Sequence, residues 1–309
     1  LGLAGLAARA KRLPLRLAAA LAAIAVLRLA PPPAIEPLPP RVVVLDVGQG
    51  DAVLVQGRRG ALLVDAGLAV PDGPDLGATV VVPALRALGV RRLDLLVASH
   101  ADLDHRGGLP AVLRAFPVGR LWLPHGGVGD PDFADLLAAA RGAGVPVEER
   151  GAGSAPLHAG DLRVDPLWPQ PGEGAGSRND RSLALRVEVA GRRVLLPGDL
   201  EVDAEARLLA ARVDLRAEVL KLGHHGSRTS SSAAWLAAVG AQIAIASAPR
   251  AGRFGVPHRA VVERTRAEGA TLWWTGRDGA VLVGLDPSLG VRGWRVRAGP
   301  AGEAQARLR

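Results

Sequence analysis

From Arg41 onward the chain alternates short apolar runs with glycine-bearing turns. VVVLDV (Val42–Val47), AVLVQ (Ala52–Gln56) and ALLVD (Ala61–Asp65) are rich in valine and leucine and bounded by turn residues, so they predict strands. Helical patches follow near Leu76–Leu88, Leu109–Phe116 and Phe133–Arg141, alternating with strand-like DLLVAS (Asp94–Ser99) and RLWLP (Arg120–Pro124). The second half follows the same alternation, with SLALRVEV, RRVLLPGD, a helix from Glu201 to Ala211, AEVLKLG, a helix near Ser231–Val239, then QIAIAS. Two β-rich halves with interspersed helices predict an α/β (α+β) domain of two packed sheets covered by helices. The Gly/Pro-rich stretches Glu149–Pro156 and Gln170–Arg178 read as surface connections.

The chain ahead of Arg41 has a different pattern. An apolar run from Leu17 to Leu27 lies between Arg16 and Arg28, shorter than the roughly 20 residues of a spanning helix unless both arginines snorkel. It reads as the end of a membrane segment, with a signal-type segment and an amphipathic tail as alternatives. If it spans, the basic cluster Arg9–Arg16 stays cytoplasmic and everything after it lies outside. PPPAIEPLPP (Pro31–Pro40) reads as a stiff linker. The expected organisation is an apolar segment over 1–30, a linker over 31–40, a catalytic-sized domain over 41–290 and a basic tail over 291–309.

Composition narrows the chemistry. With no cysteine among 309 residues, no disulfide-linked partner and no thiolate ligand is available, so any metal is held by histidine and carboxylates. The net charge of +8 is unevenly spread. Residues 1–40 and those from Arg250 onward hold the basic surplus, while 41–249 is net acidic, as a cation site requires.

Behind the strand Asp94–Ser99, one loop carries His100, Asp102, Asp104 and His105. Imidazole nitrogen and carboxylate oxygen suit Zn²⁺ or Mn²⁺, and Gly107 and Gly108 let the backbone turn closely past the ions. The bland alternative is a polar loop capping the next helix through Asp104. RRVLLPGD ends in Asp199, placed to bridge two ions, AEVLKLG leads into His224 and His225, and His258 follows in GVPH. Each alone is as readily a hydrogen-bonding residue as a ligand. Five of the seven histidines fall in these three segments, and their placement behind apolar strands gathers them at one edge of the sheets. In DVGQGDA (Asp46–Ala52), Gly48 and Gly50 read as hairpin-turn glycines, while Asp46, Gln49 and Asp51 either belong to the turn or orient ligands from behind. Asp65 reads as structural. NDRS and GSRTSSS offer phosphate-binding candidates in Asn179, Ser182, Ser227, Arg228 and Thr229, together with Lys221, with Ser230 or Ser231 as a helix N-cap.

These strings, in order, resemble the C-terminal metallo-β-lactamase domain of the ComEC family of competence proteins, channels for DNA uptake in natural transformation. The matching segments are LDVGQGDA (Leu45–Ala52), LLVDAG (Leu62–Gly67), SHADLDHRGG (Ser99–Gly108), NDRSLALR (Asn179–Arg186), LLPGDLE (Leu195–Glu201) and LKLGHHGSRTSSS (Leu220–Ser232). The resemblance implies a four-layer αββα sandwich with nuclease activity on incoming DNA. It makes His100, Asp102, Asp104, His105 and Asp199 the ligands of one or two Mn²⁺ or Zn²⁺ ions, with His225 or His258 completing the site. Asp102 stands where the broader superfamily has a second histidine, which agrees with the competence branch. No histidine marks the third motif, since His125 and His158 read as surface residues, and Val256 replaces a usual histidine.

The implied reaction is metal-assisted phosphodiester hydrolysis, with Asp104 and Asp199 essential and His258 or His225 protonating the leaving oxygen. The basic region with Arg250, Arg253 and Arg259 would attract DNA. The expected setting is membrane-associated, through the N-terminal segment or a separate channel domain, with the hydrolase outside the cytoplasm. Two alternatives stand beside it: hydrolysis of a small ester, lactone or phosphoester, and a non-catalytic DNA-binding or channel-gating domain.

Overall fold

The strand Arg41–Val44 is apolar on both faces because both are covered: Val43 packs into a core under helices, while Val42 and Val44 pack between two sheets. The same two-sided burial runs through the middle of the computed structural model, which describes residues 39–172, 177–252, 254–286, 290–298 and 304–308. The strands are β1 (Arg41–Val44), β2 (Val53–Gln56), β3 (Ala61–Val64), β4 (Leu95–Val97), β5 (Leu121–Pro124), β6 (Val147–Arg150), β7 (Leu157–Ala159), β8 (Leu162–Trp168), β9 (Ala184–Val189), β10 (Arg192–Leu196), β11 (Val219–Lys221), β12 (Ile243–Ala246), β13 (Thr271–Trp274), β14 (Ala280–Asp286), β15 (Gly290–Ala298) and β16 (Ala304–Leu308).

They form a nine-stranded sheet, β16-β15-β14-β1-β2-β3-β4-β5-β6, and a seven-stranded one, β13-β12-β11-β10-β9-β8-β7. Each sheet joins an antiparallel part to a parallel part: β3 to β6 are parallel in the first, β10 to β13 in the second. Parallel neighbours need crossovers, and helices supply them. In the first sheet these are α1 (Val82–Ala87), α2 (Leu103–Arg106), α3 (Leu109–Ala115) and α4 (Ala134–Gly142). In the second they are α5 (Val202–Ala210), α6 (Ala233–Val239) and α7 (Arg259–Ala267). Three apolar layers result: one under α1, α3 and α4, one between the sheets, and one under α5, α6 and α7. This is the αββα order.

The structure departs from the pattern reading where strands lack an apolar signature. β6 is VEER, half-buried throughout at the sheet edge. β8 contains Pro166, which is tolerated beside a register shift between Pro166 and Trp168. Within the segment read as a tail, residues 291–298 and 304–308 pair into the first sheet, β15 with β14 and β16 with β15. The apolar segment 1–30 and most of the linker lie outside the described residues. Among the described residues no helix is long and apolar enough to cross a membrane.

Candidate metal centre

The loops after β1, β3, β4, β10 and β11 meet at one edge of the two sheets. Backbone ties hold the edges together: Leu183 N donates to Ser99 O at 2.6 Å, and Ser247 Oγ to Gly50 O at 2.7 Å. The loop after β1 lies directly on the His100–His105 loop, with Asp51 N donating to Asp104 O at 3.2 Å. Gly50 makes this possible. Its φ is +117°, and a Cβ there would stand 2.0 Å from Asp104 O. Three non-glycine residues at the centre also take left-handed conformations, Asp65 (φ 60°), His224 (φ 46°) and His225 (φ 56°). Such backbone costs on the order of 1–3 kcal/mol per residue and persists where the surroundings over-determine it. Here it aims the two adjacent imidazoles in different directions, His225 into the centre and His224 toward Glu201.

His105 Nε2 lies 3.2 Å from Asp199 Oδ2 and 3.3 Å from His225 Nε2. His225 Nε2 in turn lies 3.2 Å from Asp199 Oδ2 and 3.7 Å from Asp104 Oδ2. Donors about 2.0–2.2 Å from a tetrahedral divalent ion stand roughly 3.3–3.6 Å from each other, so His105 Nε2, His225 Nε2 and Asp199 Oδ2 fit such an ion, and a carboxylate oxygen of Asp51 lies within 4.8 Å of donor atoms of all three residues. Both imidazoles turn their other nitrogen to a carboxylate: His105 Nδ1 is 2.9 Å from Asp65 Oδ2, and His225 Nδ1 is 3.5 Å from Asp51 Oδ1. A second donor pair, His100 Nε2 and Asp102 Oδ2, lies 3.6 Å apart. His100 Nε2 is buried with no hydrogen-bond partner, as an atom reserved for a ligand would be.

Burial opposes every charge at the centre, and the neighbours overcome it. The Lys221 ammonium, helped by His225 and His105, holds the Asp51 carboxyl down at about 2. Asp104 and Asp199 also lie well below the usual carboxylate range, Asp104 through His225 and His105, Asp199 through those two and Lys221. Conversely, Asp199 and Asp65 hold His105 well above the usual imidazole range, and Asp199 and Asp104 push His225 up to about 10.

The candidates sort clearly. His105, Asp199 and His225 converge together with Asp51, Asp104 stands 3.7 Å from His225 Nε2, and His100 and Asp102 lie alongside; Asp102 is tied to Arg178 Nη1 at 3.0 Å. His258 does not join them: it is the N-cap of α7, and its Nδ1 accepts from Ala260 N at 3.3 Å. Lys221 and Ser182, read as phosphate-binding groups, face inward. Lys221 Nζ donates to Gly198 O at 2.9 Å and Asp199 Oδ1 at 3.1 Å and pairs with Asp51 Oδ2, which uses all three donors. Ser182 Oγ accepts from Asp199 N at 3.0 Å and fixes that residue's backbone. Asn179 and Ser227 do line the cavity over the centre, Thr229 donates to Glu201 Oε1 at 2.6 Å, and Arg228 is exposed. Gly107 and Gly108 approach the backbone of Ala69, Ala66 and Gly77, so their close contacts are with the fold and not with the site. His125 is half-buried and shares an adjoining cavity with His100, whereas His158 is exposed on β7. Three residues carry more than their sequence context suggested. Asp51 sits inside the centre, Asp65 orients His105, and His224 lines the cavity 3.2 Å from Glu201 Oε1.

Comparison with known proteins agrees with this geometry. The family model of the metallo-beta-lactamase superfamily matches residues 45–249. Among curated proteins, ComE operon protein 3 of Bacillus subtilis is 34% identical over 252 residues, covering 78% of this chain and 32% of that protein. Competence protein ComA of Neisseria gonorrhoeae is 38% identical over 260 residues, covering 83% and 34%. The chain thus spans about a third of the length of these relatives. Among solved structures, a mutant of CmlA beta-hydroxylase superposes with a TM-score of 0.53 at 16% identity, covering 82% of this chain and 55% of that one, a likeness of fold.

Proposed function

The chain belongs to the metallo-beta-lactamase superfamily, and from that premise we propose that it is a divalent-metal-dependent phosphodiesterase that cleaves DNA during uptake. The observation that carries the reading is the convergence of His105 Nε2, His225 Nε2 and Asp199 Oδ2, with Asp104 Oδ2 3.7 Å from His225 Nε2, at an accessible cavity that Asp104, Asp199 and His225 line. The similarity to competence proteins supports DNA as the substrate. Cavities of about 560 Å³ and about 670 Å³ open beside the Asp102–Arg178 pair. Arg181 lines the larger cavity, and Arg228 and Arg250 are exposed, cations that attract a polyanion without reading its sequence. Arg259 contributes less, since it pairs with Glu263 at 2.6 Å, and Arg253 lies outside the described residues.

His105, His225, Asp199 and Asp104 would hold Mn²⁺ or Zn²⁺, with His100 and Asp102 available to a second ion. The cation supplies Lewis acidity toward the phosphoryl oxygen and makes water a usable nucleophile near neutral pH. The chain's own groups do the rest. Lys221 pins Asp199 Oδ1 and so leaves Oδ2 turned to the imidazoles. Asn179 and Ser227 offer hydrogen bonds to phosphate oxygens from the cavity wall. His224, backed by Glu201, is placed to hand a proton from its ring to the leaving oxygen. Attachment to a membrane channel, with the hydrolase outside the cytoplasm, belongs to the same proposal.

The test is incubation of the purified chain with linear DNA and Mn²⁺ or Zn²⁺. Degradation that is stopped by a chelator and absent in Asp199→Asn is expected. Failure to cut DNA with either metal, alongside hydrolysis of small nitrophenyl esters, would overturn it.

A further inference from the structure

The larger cavity beside the centre holds a cation to which the proposed chemistry gives only a general attraction for DNA. His100, whose Nε2 stands 3.6 Å from Asp102 Oδ2, also lines this cavity, so the cavity adjoins the donor set. Its charged side chains are not equivalent. Arg178 is engaged twice, with Asp102 Oδ1 at 3.0 Å and with Asp132. Asp130 Oδ1 accepts from Asp132 N at 3.0 Å and caps its own turn. Arg181 is left over: it is half-buried, and its guanidinium has neither an ion pair nor a hydrogen bond among the described residues. The chain on both sides of Arg181 is tied to the loop that carries Asp199. Asp180 Oδ1 accepts from Glu201 N at 2.9 Å, and Ser182 Oγ accepts from Asp199 N at 3.0 Å. Trp168 Nε1 adds a third tie, donating to Asp180 O at 2.6 Å. The support under this arginine is therefore fixed relative to the metal-fitting donors, and less ordering is left to do when it meets an anion.

We propose that Arg181 binds a phosphate neighbouring the scissile one, which makes the larger cavity a second phosphate subsite and gives the centre a preference for a polynucleotide over a lone phosphodiester. The inference rests on the phosphodiesterase reading above. A strand carries a charge on every nucleotide, so one seated over the centre presents further phosphates beside the one under attack. A guanidinium meets a phosphate through a fork of donors, and here the alternative partners are taken: Asp132 by Arg178, Asp130 by its own turn. Asn179, in the same turn as Arg181, lines the other cavity, over the metal-fitting donors. One short turn thus serves both cavities, Asn179 at the reacting phosphate and Arg181 at its neighbour. Such a contact places the strand without reading its bases. A small ester has no second anion and gains nothing from it.

The experiment compares cleavage of the dinucleotide TpT, which has a single phosphodiester, with that of the tetranucleotide TpTpTpT, by the wild-type chain and Arg181→Gln with Mn²⁺. The wild-type KM is expected to be about tenfold or more lower for the tetranucleotide, as one charge-assisted contact allows. Arg181→Gln should bring the two KM values to within about twofold of each other by raising that of the longer strand. A wild-type chain without the preference, or a variant that keeps it, overturns the proposal. So does a variant whose KM rises equally for both substrates. A second measurement does not depend on cleavage: the anisotropy of a labelled thymidine strand, titrated with metal-free protein over a range of salt concentrations. Loss of one phosphate contact in Arg181→Gln should flatten the slope of log affinity against log salt by about 0.7. If neither oligonucleotide is cut with Mn²⁺ or Zn²⁺, the phosphodiesterase reading fails, and the salt slope still decides the contact, an unchanged slope counting against it.

Discussion

His105 Nδ1 and Asp65 Oδ2 lie 2.9 Å apart, both groups fully buried, and Ser99 Oγ donates to the same carboxylate oxygen at 2.6 Å. The carboxylate keeps the imidazole hydrogen on Nδ1 and presents Nε2 to the centre. Asp65→Asn should therefore weaken Mn²⁺ or Zn²⁺ binding by about 10–100-fold, measured by competition with a chelating dye. Unchanged affinity would show that the ring needs no such support.

Lys221 is a buried cation between two buried carboxylates, Asp51 and Asp199. Lys221→Met leaves both without their ammonium, and breaking a buried pair in this way costs about 3–5 kcal/mol. Chemical denaturation of the metal-free protein should show a loss of that size. With saturating Mn²⁺ the loss should shrink, because the ion takes over the neutralising role. A lysine that served substrate instead would leave stability untouched.

His258 ends the sequence-derived ligand set, and the structure makes it a helix cap. His258→Ala should cost about 0.5–1 kcal/mol of stability, as the loss of a weak cap does, and leave metal affinity where it was. A fall in metal affinity would return His258 to the centre.

Glu205 caps the turn before α6, accepting from Ser232 N at 2.8 Å and from Ser231 N. Burial raises its carboxyl above the usual range, although those backbone donors and nearby Arg264 pull the other way. The folded chain therefore holds this proton at pH values where the unfolded chain has released it. Stability should fall as pH rises from the usual carboxylate value, about 4.3, through the raised one, by at most about 1.4 kcal/mol per pH unit. Glu205→Gln should remove this component of the denaturation midpoint's pH dependence. An identical profile in the two proteins would contradict the assignment.

What was legible in the sequence follows from where the information is local. β1 to β5, β11 and β12 are buried on both faces, so their valine and leucine runs announce them, whereas VEER at a sheet edge and the Pro166 strand carry no such mark. His100 to His105 could be read because four donors share one loop, and Asp199 and His225 because each follows an apolar strand. Asp51 and Asp65 could not be separated from turn aspartates, since only the packing of distant loops gives them imidazole neighbours. The inward direction of Lys221 has the same origin: its acceptors come from the loops after β1 and β10.

His105 and His225 stand 120 residues apart along the chain yet 3.3 Å apart in space. A chain emerging from the ribosome carries His105 long before its second set of donors exists, and strands β14 to β16 of the first sheet follow later still. It stays without a working centre until the two sheets dock. For a protein proposed to cut DNA, a nascent or truncated copy is harmless by construction, and catalytic competence becomes a certificate that synthesis has run past His225 and folding has closed.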